Sequence, residues 1–288
     1  MRMSRRKSAV VLFRDHSRGD SYAKALQDDG HFAVETVPVI EYQYLISTDD
    51  IDSLVRQCTQ VYSAIIFTSQ NAVKALSAAA KQWLLRSESK SDADLWSQLT
   101  QLPIFVVGKA TGCACKALGN CQIYGEDSGS AAVLLPEIIE FSRQKRQETG
   151  KLPKLLFFCG DQRRDTLPNG IRQSGEAELV EVVAYKTIAR KVSTVTSDLL
   201  KAVQRILAVS PRDEEMVVWL VLFSPSGARV LYPALANLVA SGLSQHMFRF
   251  AAIGKTTASE LVSLGVNDQD VAQAKTPNEQ GIKDVLTC

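Results

Sequence analysis

The chain has 288 residues, 45% hydrophobic and 22% charged, enough for two ordinary globular domains whose cores need no disulfide or metal staple. With 33 basic against 31 acidic residues the net charge is +2, so no basic excess marks a nucleic-acid binder, and no apolar run is long enough to span a bilayer. Six cysteines and three histidines lack zinc-site spacing; no metal is expected, and free thiols point to a reducing compartment, the cytosol.

The chain opens on a short basic cluster, Arg2, Arg5, Arg6 and Lys7, expected as a solvated tail because it lacks the apolar core of a signal peptide. A strand is predicted at Ala9–Phe13, then a helix closed by Gly30. Glu35–Tyr42 and Val180–Thr187 read as strand-like stretches, and Ala64–Thr68, Ile104–Val107, Lys154–Cys159, Val217–Phe223 and Phe250–Ile253 as strands. Near-continuous apolar runs of this length suit parallel strands buried on both faces, and the amphipathic segments between them supply the crossover helices. The fold class is therefore α/β, with doubly wound parallel sheets. Leu85–Gln98, Ser142–Pro153 and Ser210–Glu215 are polar and are expected as exposed loops or helix faces.

The chain repeats itself. FVVGKATGCACKALG from Phe105 matches AAIGKTTASELVSLG from Ala251, and IIFTSQNAVKAL from Ile65 matches VLFSPSGARVLY from Val221. A weaker pair joins Leu12–Gly30 to Phe157–Gly175, each followed by a strand-like stretch. The offsets between partners are all close to half the chain, which points to duplication of one α/β half.

In open α/β sheets ligands sit beyond the carboxyl ends of the strands. The matched blocks put small polar residues there: Thr68-Ser69, Gly108-Lys109-Ala110-Thr111, Gly160-Asp161, Ser224-Pro225-Ser226 and Gly254-Lys255-Thr256-Thr257. Such turns offer free N–H groups and hydroxyls to an anion, although helix capping alone also accounts for Ser and Thr at these places. GKAT and GKTT lack the upstream glycine of a phosphate loop, and no GxGxxG follows a strand, so nucleotide binding is disfavoured. Tyr185 closes the apolar stretch VEVVAY; a strand tyrosine usually packs with a wet hydroxyl, but one facing a cleft can donate a proton. No nucleophile–base set is visible.

These motifs resemble the uroporphyrinogen-III synthase family. FTSQNAV at 67–73, VVGKATG at 106–112, AYKT at 184–187, FSPSGA at 223–228, AAIGKTTASEL at 251–261 and KTPNEQGI at 275–282 follow its pattern in order. Gln70 departs from the proline many members carry there. The resemblance implies two flavodoxin-like domains, 1–36 with 189–288 and 46–178, joined by a two-stranded ladder of 37–45 and 179–188. It implies a cofactor-free enzyme that closes hydroxymethylbilane, a linear tetrapyrrole, with loss of water and inversion of the last ring through a spiro intermediate. Tyr185 then becomes the candidate acid, with Thr68, Ser69, Thr111, Ser224, Ser226, Thr256 and Thr257 lining the substrate. Arg14, Lys109, Arg163, Arg164, Arg249 and Lys255 are candidate carboxylate partners, against the alternative of ordinary surface charge. A monomer acting on a small molecule is expected, with no nucleic-acid or membrane partner. The competing reading is a two-lobed protein that binds an anion without chemistry.

Overall fold

A computed structural model describes residues 8–15, 20–28, 30–86, 90–208 and 216–287. The basic tail, His16, Cys288 and all of Ser210–Glu215 lie outside the described residues, as does the side chain of Cys58. The chain forms two compact units, Met1–Glu41 with Ile188–Cys288 and Tyr42–Thr187.

In chain order the elements are β1 (Ser8–Phe13), α1 (Ser21–Gln27), β2 (Phe32–Thr36), β3 (Ile40–Tyr44), α2 (Thr48–Val61), β4 (Tyr62–Phe67), α3 (Gln70–Arg86) and α4 (Lys90–Thr100). There follow β5 (Ile104–Val106), α5 (Lys109–Cys115), β6 (Ile123–Tyr124), α6 (Ala131–Thr149), β7 (Lys154–Gly160), α7 (Thr166–Ser174) and β8 (Glu178–Ala189). The chain ends with α8 (Val192–Ala208), β9 (Val218–Leu222), α9 (Pro225–Ala240), β10 (Phe248–Ala252), α10 (Lys255–Ser263), β11 (Val271–Gln273) and α11 (Glu279–Thr287).

The first unit holds a five-stranded sheet in the order β11-β10-β9-β1-β2, parallel throughout. The second holds a six-stranded sheet, β3-β8-β7-β4-β5-β6. Its last five strands run parallel. Bonds from the Leu45 amide to the Ala184 carbonyl and from the Arg190 amide to the Val39 carbonyl step in opposite chain directions, so β3 runs antiparallel to β8. Matching β1 with β7, β2 with β8, and β9, β10, β11 with β4, β5, β6 makes the two sheet orders identical apart from β3. The duplication is thus visible in topology.

Each sheet is buried on both faces, as the apolar runs require. In the first unit Val11, Phe13 and Leu220 face one core and Val10, Leu12 and Val221 the other. In the second, Ile65, Phe67 and Phe158 face one core and Ala64, Ile66 and Phe157 the other. Burial of these side chains is the main force assembling the sheets, at roughly 1.5–3 kcal/mol each.

Two expectations change. The ladder strand expected at 37–45 is shorter: Pro38 lacks an N–H for the ladder, and Val37 and Val39 turn into the first unit's core between β2 and β3. Much of Leu85–Gln98, expected as exposed loop or helix face, is helix α4, in which Leu99 is fully buried and the Trp96 indole donates to the Leu118 carbonyl at 3.1 Å. Ser142–Pro153 begins inside α6, where Ser142 is buried and its hydroxyl donates to the Ile138 carbonyl.

Candidate active site

The second unit builds a cavity of about 400 Å³ at the carboxyl ends of its parallel strands. Beyond β4 the chain turns through Thr68 and Ser69, whose hydroxyl accepts the Asn71 amide at 3.2 Å and starts α3. Ser130 caps α6 by accepting the Val133 amide, and Thr166 opens α7. Thr68, Ser69, Gly129, Ser130, Ala131, Thr166 and Leu167 all line the cavity, so the first turns of three helices border it. Their unbonded N–H groups and aligned peptide dipoles favour an anion there.

Tyr185 lines the same cavity from β8. A β-bulge aims it. Cys159 pairs with Val183, but Gly160 pairs with Tyr185, so Ala184 is the extra residue. Ala184 is buried in the core beneath α3, and Tyr185 packs on that core as well, whereas Val183 is exposed. Without the bulge, strand alternation would send Tyr185 to the same face as Val183. Tyr42 meets the Tyr185 ring edge-on, with centroids 5.6 Å apart. Gly160 lies under the ring: a β-carbon at this residue would sit 2.7 Å from Tyr185 Cζ and 2.8 Å from its hydroxyl.

The two arginines at the cavity differ. Arg163 Nε donates to Glu181 at 2.5 Å, and the guanidinium also pairs with Asp165. Burial works against its charge, but the two carboxylates win and hold its pKa above the usual arginine value. Arg163 is thus committed to its own protein. Arg164 is exposed on the cavity wall and has no ion pair among the described residues.

Five of the residues singled out from sequence therefore converge here: Thr68, Ser69, Arg163, Arg164 and Tyr185. In the first unit, Ser224 caps α9 by accepting the Gly227 amide at 3.1 Å, and its hydroxyl lies 3.1 Å from that of exposed Ser226. Lys255 and Thr256 are exposed at the start of α10. These two turns follow the paired strands β9 and β10 and so share one sheet edge.

Five other candidates lie outside the cavity lining. Thr111 and Thr257, at equivalent places in the two Gly-Lys turns, are 4% and 1% exposed. The third helical position turns back onto the sheet, so both side chains are buried. Lys109 is exposed but pairs with Asp127 at 3.3 Å and does not line the cavity. Arg249 lies at the amino end of β10, beside His246 and Asn267, at the opposite end of the strand from the Gly254 turn. Arg14 does stand at a strand's carboxyl end. Its guanidinium is used internally, 3.1 Å from Asp20 and 4.7 Å from the centroids of Tyr22 and Phe223.

The sequence reading missed Ser130, Gln162, Thr166 and Thr187 on the cavity wall. The Gly129-Ser130 step before an apolar-periodic segment was a legible cap signal. Among the described residues no three His, Cys, Asp or Glu side chains converge as a metal cluster, and no helix is long and apolar enough to cross a membrane.

A family model described as uroporphyrinogen-III synthase HemD matches residues 20–282. The chain is 24% identical over 271 residues to the uroporphyrinogen-III synthase of Schizosaccharomyces pombe, covering 94% of this chain and 93% of that one. It is 27% identical over 288 residues to the uroporphyrinogen-III synthase of Saccharomyces cerevisiae, covering 98% and 97%. The crystal structure of uroporphyrinogen-III synthetase from Helicobacter pylori shares the fold, with a TM-score of 0.50 and 15% identity over 97% of this chain and 98% of that one. Because the family match covers most of the chain and runs through both units, the chain belongs to the uroporphyrinogen-III synthase family.

Proposed function

We propose that the chain carries out its family's reaction, closing hydroxymethylbilane to uroporphyrinogen III, and that Tyr185 is its acid. One observation carries this reading: Tyr185 shares a cavity with Arg164 and three helix amino ends, so a proton donor stands beside seats for carboxylates.

The chemistry asks little of the protein covalently. The terminal pyrrole nitrogen pushes out the hydroxyl, the carbon–oxygen bond breaks, and a proton delivered by Tyr185 lets the hydroxyl leave as water. Such general-acid help contributes about 10²–10⁴-fold. The cation left on the bilane is then attacked by the last ring to form the spiro species. Free bilane also closes without inversion, so the larger task is to hold the last ring reversed while the ends meet. Carboxylates anchored on the first turns of α3, α6 and α7 fix the chain around the reacting end. This route uses no metal or organic cofactor.

We read the active species as a monomer in the cytosol; the free thiols of Cys113, Cys115, Cys121 and Cys159 suit a reducing compartment.

The test is conversion of freshly made hydroxymethylbilane, with product isomers separated after oxidation. Isomer III above the no-enzyme background is expected, and isomer I alone would overturn the proposal. Tyr185→Phe should fold normally and lose at least about tenfold in rate. A wild-type rate would remove Tyr185 from the mechanism.

A further inference from the structure

We propose that Gly160 and Asp161 are positioning residues for the Tyr185 phenol: the missing side chain of one seats the ring, and the carboxylate of the other holds the bulge that aims it. The inference rests on Tyr185 as the acid.

Gly160 and Tyr185 are direct cross-strand partners, and the extra residue of the bulge immediately precedes Tyr185. A bulge re-aims a side chain but weakens the ladder around it. Two bonds restore the ladder beyond the break, and Asp161 makes both. Its amide donates to the Tyr185 carbonyl at 3.0 Å, and its Oδ1 accepts the Thr187 amide at 3.1 Å. The phenol is thus held from below by bare backbone and along its strand by one carboxylate.

With the ring where it stands, the space under it admits no larger residue. An added methyl at residue 160 would stand 2.7 Å from Cζ, 2.8 Å from the hydroxyl oxygen and 3.0 Å from Cε2. Ordinary carbon–carbon contacts need about 3.5–4.0 Å, so the ring must move by roughly 1 Å. A displacement of that size at a reacting group can cost about 10²-fold. Gly160 has a second constraint in the same direction, since it lines the cavity itself. Cross-strand glycine beneath an aromatic ring leaves the phenol edge free while covering exposed backbone.

The experiment compares Gly160→Ala, Tyr185→Phe, the double variant, Asp161→Ala and Asp161→Asn in steady-state conversion of hydroxymethylbilane, with thermal melts of each. Gly160→Ala should lower kcat at least tenfold with KM changed less than about threefold. In the Tyr185→Phe background the same substitution should add less than twofold, because no phenol remains to be displaced. Asp161→Ala should lower kcat several-fold, and Asp161→Asn, which keeps an acceptor oxygen, should recover most of it. Gly160→Ala with wild-type kcat, or with an equal loss in both backgrounds, overturns the inference. If Gly160→Ala does not fold, the Asp161 pair decides alone: equal kcat in Asp161→Ala and wild type overturns it. Failure of the underlying reading looks different, because Tyr185→Phe itself would then run at the wild-type rate.

Discussion

Replacing Arg164 with alanine tests whether the cavity takes carboxylates electrostatically, because Arg164 is the arginine there that is not already committed to a carboxylate of its own protein. The magnitude follows from its exposure. Two unit charges 4 Å apart at an effective dielectric near 20 attract by about 4 kcal/mol, but an exposed pair retains only about 0.2–1 kcal/mol after solvation and side-chain ordering. That corresponds to a rise of about 1.4- to 5-fold in KM, since each 1.4 kcal/mol is tenfold. On the proposal that Arg164 only anchors a carboxylate and takes no part in breaking the carbon–oxygen bond, kcat should stay within twofold. The attraction decays over about 8 Å at physiological salt and about 3 Å at 1 M. Initial rates on fresh bilane at low salt and at 1 M salt therefore separate the cases. The KM difference between Arg164→Ala and wild type should be present at low salt and vanish at 1 M. An unchanged KM at low salt, or a fall in kcat with KM constant, refutes the reasoning.

Two further predictions concern the second unit's core. Phe158 is fully buried and stacks on Phe67 with centroids 5.3 Å apart; Phe158→Ala should cost about 3–5 kcal/mol and lower the melting midpoint by roughly 6–20 °C, and a loss below about 1 kcal/mol in denaturant titration would contradict the packing described. Burial, with smaller contributions from Cys121 and Glu126, pushes the Cys115 thiol up from 9.0 to about 12. The unfolded thiol ionises first, so this burial favours folding fully below pH 9.0 and the advantage is lost as pH rises toward about 12. Alkylation at pH 9 should accordingly mark exposed Cys113 at once and Cys115 only on unfolding, and equal rates at the two sites would contradict it.

Strands were the most legible feature because β1, β4, β7 and β9 carry apolar residues at consecutive positions, and only a strand covered on both faces needs that pattern. α4 was hidden because its serines and aspartates dominate its composition, while Leu95, Trp96 and Leu99 alone form the face that packs. The turn residues were legible as a class but not individually. Thr68 and Thr111 each follow a strand closely, yet the first lines the cavity from the turn before α3 and the second, the third residue of α5, is buried beneath its own helix. Ser130 contributes to no matched block and carries no family motif, so only the packing of α6 against the sheet brings it to the site. The seat under Tyr185 depends on the register between β7 and β8, which no local pattern encodes.

The duplication gives cavity residues of the second unit counterparts in the first. Aligning β7 and α7 with β1 and α1 places Thr166 and Leu167 on Ser21 and Tyr22, and α6 and α11 begin at Ala131 and Glu279; the sheet register places Thr68 on Phe223, one residue from its sequence match with Ser224. In the second unit these four residues are small or aliphatic and border open space. In the first, Tyr22 and Phe223 are large and Glu279 is charged, and the residues meet in two pairs, Tyr22 with Phe223 and Ser21 with Glu279. Arg14 stacks on Tyr22 and Phe223, Ser21 donates to Glu279, and the Tyr22 hydroxyl reaches the Pro277 carbonyl at 3.3 Å. The guanidinium of Arg14 is balanced by Asp20 at 3.1 Å. At these four places the second unit borders space with small or aliphatic side chains, whereas the first commits Tyr22, Phe223 and Glu279 to contacts with their own neighbours.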